Sequence, residues 1–172
     1  MKKTLIAFLI TGFVALQSCE GPQGPAGLPG QDATNIVSEV FEQTVNFTQS
    51  NNYEEVFNFT PPIFTSDVVL VFLEWETQNN NSIWRALPQT VFLEEGVLIY
   101  NFDFSRQDFR LFLETTFNAG LLPDVFTRNQ KFRVVIVPGE FANARIDFSD
   151  YEAVMNLIGA KEGNVVDLDL RK

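Results

Sequence analysis

Beyond residue 36 the chain alternates apolar and polar residues with a period of two, which admits few folds other than packed β-sheets. In "VLIYNFDF" (97–104), Leu98, Tyr100, Phe102 and Phe104 face one way while Asn101 and Asp103 face the other. "FRLFLE" (109–114) points Phe109, Leu111 and Leu113 to one side, and "KFRVVIVP" (131–138) does so with Phe132, Val134 and Ile136. "DVVLVFLEW" (67–75) is apolar on both faces, as a central strand covered on both sides must be. Further strands are expected over 37–47, 53–59, 83–86, 89–94 and 165–170. The turn-forming stretches "QSNN", "TPP", "QNNNS", "EEG" and "SRQ" separate them.

Short strands at roughly ten-residue spacing predict a mainly β fold, an antiparallel β-sandwich. The chain holds 18 Phe, and all but Phe8 and Phe13 lie in this region, enough aromatic bulk to fill a sizeable core. One segment changes period. In "FSDYEAVMNLIGA", Ser149 and Glu152 have capping-box spacing. Tyr151, Val154, Met155 and Ile158 then share one helical face, and Gly159 ends the run. A single C-terminal α-helix of about ten residues, packed on the sandwich edge or end, is expected. "TFNAGLLPDVFTRNQ" (116–130) reads as a long connection with one helical turn.

The residue inventory excludes much chemistry. The chain has no His and one Cys. An internal disulfide, a Cys/His metal site, and Ser-His-Asp or Cys-His catalysis are therefore all ruled out. The net charge of −10 argues against nucleic acid, whose phosphates require a basic face. No Lys or Arg occurs from Thr4 to Trp84, against nine acidic residues from Glu20 to Glu76. That half would be repelled by anionic head groups.

Ahead of the β region stand two other kinds of sequence. Residues 1–18, "MKKTLIAFLITGFVALQS", place Lys2 and Lys3 before an apolar run from Leu5 to Leu16. Twelve residues are too few for a helix across the roughly 30 Å hydrocarbon core, and the pattern fits a secretory signal peptide. Its end, "LQSC", resembles the lipobox of bacterial lipoproteins. Leu16 and Ser18 hold the family's places before Cys19, while Gln17 is bulkier than usual at its position. The resemblance implies cleavage after Ser18 and lipid attachment on the Cys19 sulfur. Several acyl chains on one residue anchor far more firmly than a single myristoyl chain. Glu20 is a poor version of the Asp that retains such proteins at the inner membrane, so the resemblance implies the outer membrane of the cell envelope.

From Gly21 the register is Gly-Pro-Gln, Gly-Pro-Ala, Gly-Leu-Pro, Gly-Gln-Asp, with Gly21, Gly24, Gly27 and Gly30 at every third position. Only Gly fits the axis of a collagen triple helix. Four triplets nonetheless make too few interchain contacts to offset the entropy of nucleating three chains. The same composition favours an extended polyproline II tether, and residues 20–34 would reach roughly 45 Å at about 3.1 Å per residue. Signal peptide, lipobox, short Gly-X-Y repeat and β-rich domain together resemble the collagen-like lipoproteins of Gram-negative bacteria, a resemblance that implies location and build and brings no established biochemical activity with it. Three segments result: a lipoprotein signal peptide (1–18), the lipidated Cys19 with a Gly/Pro-rich spacer (19–35), and the sandwich (36–172).

Candidate sites in the sandwich are few. Asp103 and Asp108 flank a turn, and Glu74 and Glu76 share a strand face, but exposed acids at strand ends are ordinarily solvated surface. "DFSD" (147–150) reads as a helix start, and no calcium-loop motif is present. Trp75 shares parity with Val69, Val71 and Leu73 and is expected in the core. Trp84 follows "QNNNS" and precedes Arg85, so Trp84 with Arg85 is the candidate aromatic site at a surface. No cofactor and no metal are expected, and the chain is read as not an enzyme. The expected function is display of a binding module for an envelope glycan or protein. The alternative is a structural protein that homo-oligomerises, with the Gly-X-Y segment as a trimer stem.

Overall fold

A computed structural model describes residues 38–141, 143–160 and 166–167. The signal peptide, Leu16, Gln17, Ser18, Cys19 and the four collagen-like glycines lie outside the described residues.

Among the described residues, nine strands form two sheets. They are β1 (Glu39–Val45), β2 (Glu54–Asn58), β3 (Val68–Gln78), β4 (Asn81–Ala86), β5 (Gln89–Leu93), β6 (Gly96–Phe104), β7 (Asp108–Thr115), β8 (Gln130–Val137) and β9 (Val166–Asp167). The first sheet has the order β4-β3-β8-β1-β9 and the second β2-β7-β6-β5. All pairings are antiparallel except that of the two-residue β9, which lies parallel to β1.

The period-two pattern decides which residues fill the space between the sheets. Phe41 and Val45 of β1, Val69, Val71 and Leu73 of β3, and Phe132, Val134 and Ile136 of β8 meet Leu98, Tyr100, Phe109 and Leu111 of the second sheet. The phenylalanines interlock: Phe57 stacks on Phe109 at 5.0 Å, and Phe47 meets Phe132 edge-on at 6.0 Å. Tyr100 is buried, and its hydroxyl donates to the Phe126 carbonyl at 2.8 Å, tying down the long 116–130 connection. Burial without a charged partner pushes its phenol pKa well up. That connection carries two 3-10 turns, Ala119–Leu121 and Asp124–Phe126, rather than one helical turn.

Part of the outer face of the first sheet is apolar as well. Val40, Phe72, Val135 and Val137 form a second core with Val154 and Met155 of the helix α1 (Tyr151–Leu157). The doubly apolar reading of β3 therefore holds, and β8 shares it. The helix covers a sheet face rather than an edge or end, because that face is the one whose apolar side chains lack a second sheet. It is also shorter than the sequence indicates, and its cap lies one residue later. Asp147 accepts from both the backbone N–H and the hydroxyl of Ser149, at 2.9 and 2.7 Å. With that hydroxyl engaged, Asp150 takes the N-cap position and accepts from Ala153 N–H at 3.2 Å. Gly159 stops the helix as expected, at φ +63°. Ala160 N–H returns to the Met155 carbonyl and Gly159 N–H to that of Asn156, a Schellman arrangement.

The turns match their residue types. Asn79 and Asn80, both at positive φ (49° and 67°), close the β3–β4 hairpin, where two left-handed residues suit the strand twist. Gly96 opens β6 at φ +143°, and a Cβ there would stand 2.4 Å from Thr116 Oγ1.

Candidate functional site

On the outer face of the first sheet a group of charged and aromatic side chains comes together. Glu42 of β1 and Arg133 of β8 are paired across adjacent strands. Trp84 of β4 lies opposite Glu74 of β3, and Tyr151 comes from the first turn of α1. Arg133 is only 5% exposed. Its Nε donates to Glu42 Oε1 at 3.1 Å, its Nη2 donates to the same oxygen, and its Nη1 donates to the Tyr151 hydroxyl oxygen. The guanidinium also lies 4.3 Å from the Trp84 ring centre, and the Trp84 and Tyr151 rings pack at 5.8 Å. Lys131 Nζ bonds Glu42 Oε2 at 3.0 Å and stands 3.9 Å from Glu74 Oε2.

The electrostatics follow from that geometry. Burial alone would raise the Glu42 pKa, but hydrogen bonds and charge from Arg133 and Lys131 outweigh it and hold the carboxyl below its ordinary value. Burial likewise works against the Arg133 charge, yet Glu42 and Tyr151 raise its pKa overall. Two cations face two carboxylates, and all four are engaged. Such a group is equipped to hold the helix on the sheet rather than to transfer protons.

The sequence-derived candidates fall in separate places. Trp84 is half-buried in the second core instead of standing free at the surface. Arg85 points to the opposite face, 4.0 Å above the Trp75 ring, because neighbours on a strand alternate. Trp84 and Arg85 therefore do not form one site. Trp75 packs against the inter-sheet core, as its parity indicates. Glu74 and Glu76 do not share a face. A register shift in β3 sets Glu74 opposite Trp84 but Glu76 opposite Ile83, which are neighbours on opposite faces of β4. Asp103 is paired with Arg110, and Asp108 accepts from Ser105 Oγ at 2.6 Å. Asp147 and Asp150 are committed to the helix start. Among the described residues no group of three or more acids could hold a metal ion. Nor is any described helix long and apolar enough to cross a membrane.

A second surface was not legible from composition. No described element packs on the outer face of the second sheet, which carries Glu54 and Val56 of β2, Arg110 and Phe112 of β7, Asn101 and Asp103 of β6, and Phe92 of β5. Arg110 bridges Glu54 (3.1 Å) and Asp103 and lies 4.8 Å from the Phe112 ring centre. Hydrogen bonding to Asp103 leads the causes that raise its pKa. Asn101 Nδ2 donates to Glu114 Oε2 at 2.8 Å. Phe92 and Val56 are 82% and 51% exposed.

The signal for Arg133 lay in "KFRVVIVP", where an Arg interrupts a run apolar on both faces and so must be buried and paired. The signal for the open face was parity, since Phe92 and Phe112 fall out of phase with the inward positions. No protein-family model, curated protein or solved structure matches the chain.

Proposed function

We propose that the chain is a cell-envelope lipoprotein, anchored through lipid on Cys19, that carries its β-sandwich on the Gly/Pro-rich spacer as a glycan-binding module. The anchor rests on the leader, the lipobox-like "LQSC" and the single Cys. The observation that carries the binding reading is the unequal treatment of the two outer sheet faces. One is sealed by α1. The other, among the described residues, carries no covering element and alternates rings with hydrogen-bonding groups. Phe112 and Phe92 offer apolar faces, while Arg110, Asn101, Glu54 and Glu114 supply donors and acceptors of the kind that hydroxyl-rich chains take. An acidic protein partner would suit this face less, given its four carboxylates, Glu54, Asp103, Asp108 and Glu114, against one Arg.

The test has two arms. Full-length protein should partition into the detergent phase and Cys19→Ala into the aqueous phase; a wild-type protein that stays aqueous refutes the anchor. Wild-type protein should co-sediment with purified envelope glycan, and Phe112→Ser should weaken this at least about fivefold. Absence of co-sedimentation, or binding unchanged in Phe112→Ser, refutes the glycan reading.

A further inference from the structure

Strand β5 has an edge unlike the others described. The edge strands β2 and β4 carry Glu54 and Glu55, and Arg85, respectively, the kind of charge that discourages edge-to-edge pairing, and β9 is only two residues long. β5, "QTVFL", has no charge, no Pro within it and no shift of register against β6. It also bears Phe92 at 82% exposure.

The ladder tells which peptide groups this edge offers. Val97 turns its backbone toward β7, since its carbonyl accepts from Thr116 N–H at 3.1 Å and its N–H reaches Thr116 Oγ1 at 2.9 Å. Residues alternate along a strand, so Gly96, Leu98 and Tyr100 face β5 and bond Leu93, Val91 and Gln89. The N–H and C=O groups of Thr90 and Phe92 therefore point away from the sheet. The contact made there is Gln89 Nε2 to the Thr90 carbonyl at 3.2 Å, exposed and readily exchanged.

We infer that β5 pairs with β5 of a second copy of this chain, antiparallel about a two-fold axis at Val91, joining two four-stranded sheets into one. The strand is self-complementary about that axis. Thr90 of each copy faces Phe92 of the other, and these are the residues whose peptide groups are free, so each pair exchanges both its N–H and its C=O. The same pairing sets an aromatic ring against a β-branched side chain on the open face, a favourable cross-strand combination.

Charge selects a copy of this chain over an arbitrary strand. Two molecules of net charge −10 repel unless their acids are kept apart. Glu94 and Glu95 follow β5, and the antiparallel axis carries them to the Gln89 end of the other copy's strand, away from that copy's own acids. Arg85 lies four residues before Gln89, at the end of β4 that leads into β5. It is exposed, lies over Trp75 and has no ion pair among the described residues. The dimer would give it the acids it lacks. This inference is independent of the glycan reading and is tested without any ligand.

The experiment is sedimentation equilibrium of the full-length protein in detergent with micelles in large excess, over a range of concentrations. Wild-type protein should approach two chains per particle. Phe92→Lys alters an exposed side chain, and Thr90→Pro removes an N–H that makes no ladder bond. Both should keep the wild-type circular dichroism spectrum and weaken dimerisation about tenfold or more. Arg85→Glu should weaken it about threefold, and adding Glu94→Arg with Glu95→Arg should restore it. A monomeric wild type, a dimer indifferent to Phe92→Lys and Thr90→Pro, or a three-chain particle would each overturn the inference.

Discussion

The guanidinium of Arg133 lies 4.3 Å from the centre of the Trp84 ring, so a nearly inaccessible cation on β8 rests on an aromatic face from β4. Glu42 and Tyr151 complete its surroundings and bring in β1 and the helix. One side chain thus ties three strands to α1, and its removal should be felt across the second core.

Arg133→Ala should destabilise the domain by about 3 kcal/mol, toward the lower end for a broken buried pair, because Glu42 keeps Lys131. The double variant Arg133→Met with Glu42→Met should lose less than Arg133→Ala, since no charge is stranded. Urea denaturation of both variants checks the order; a double variant less stable than the single one would show that the pair itself is a large net stabiliser.

Acid should weaken the same joint. The Glu42 pKa is lower folded than unfolded, so the unfolded chain binds the extra proton as pH falls. Its contribution to stability is complete above the ordinary carboxylate range, about pH 4–5, and is lost as pH drops through the folded-state value. Melting temperature against pH should therefore fall less steeply on the acid side for Glu42→Gln than for wild type. Parallel acid limbs would assign the loss to other carboxylates.

Trp84→Ala removes a half-buried ring that packs on Tyr151 and faces Arg133. A loss of about 2–3 kcal/mol is expected from packing and cation–π contact together. Arg85→Ala, exposed one residue later, should cost less than about 0.5 kcal/mol in the monomer. Thermal melts at low protein concentration separate the two.

Gln43 lies on the inner face of β1 at 7% exposure, and its Oε1 has no hydrogen-bond partner among the described residues. A buried acceptor left unpaired costs about 1–3 kcal/mol. Gln43→Leu, opposite Phe132 and between Phe41 and Val45, should stabilise the domain by about 1 kcal/mol in urea denaturation.

The spacer reading makes a separate demand on the glycines. Gly24→Ala with Gly27→Ala would break a triple helix, whose axis admits only Gly, yet leave an extended tether intact. Particle mass and melting temperature should not change. A fall from three chains to one would instead establish a trimer stem.

Strands, turns and the helical face were legible in the chain because their periods are local. "VLIYNFDF" and "KFRVVIVP" alternate whatever they pack against, and Asn79–Asn80 favours a hairpin through its own backbone. The doubly apolar β3 even announced that something must cover the sheet on both sides. What no local pattern contains is which segments meet. That α1 lies over β3 and β8 depends on pairing chain positions some 80 residues apart. A separate long-range pairing, β1 with β8, sets Arg133 beside Glu42. The bulge that separates Glu74 from Glu76 is likewise visible only against β4, because register is a property of two strands. Trp84 and Arg85 show the same division: their alternation was readable, but which of them faced a helix and which faced water was settled by the layer that packed on top.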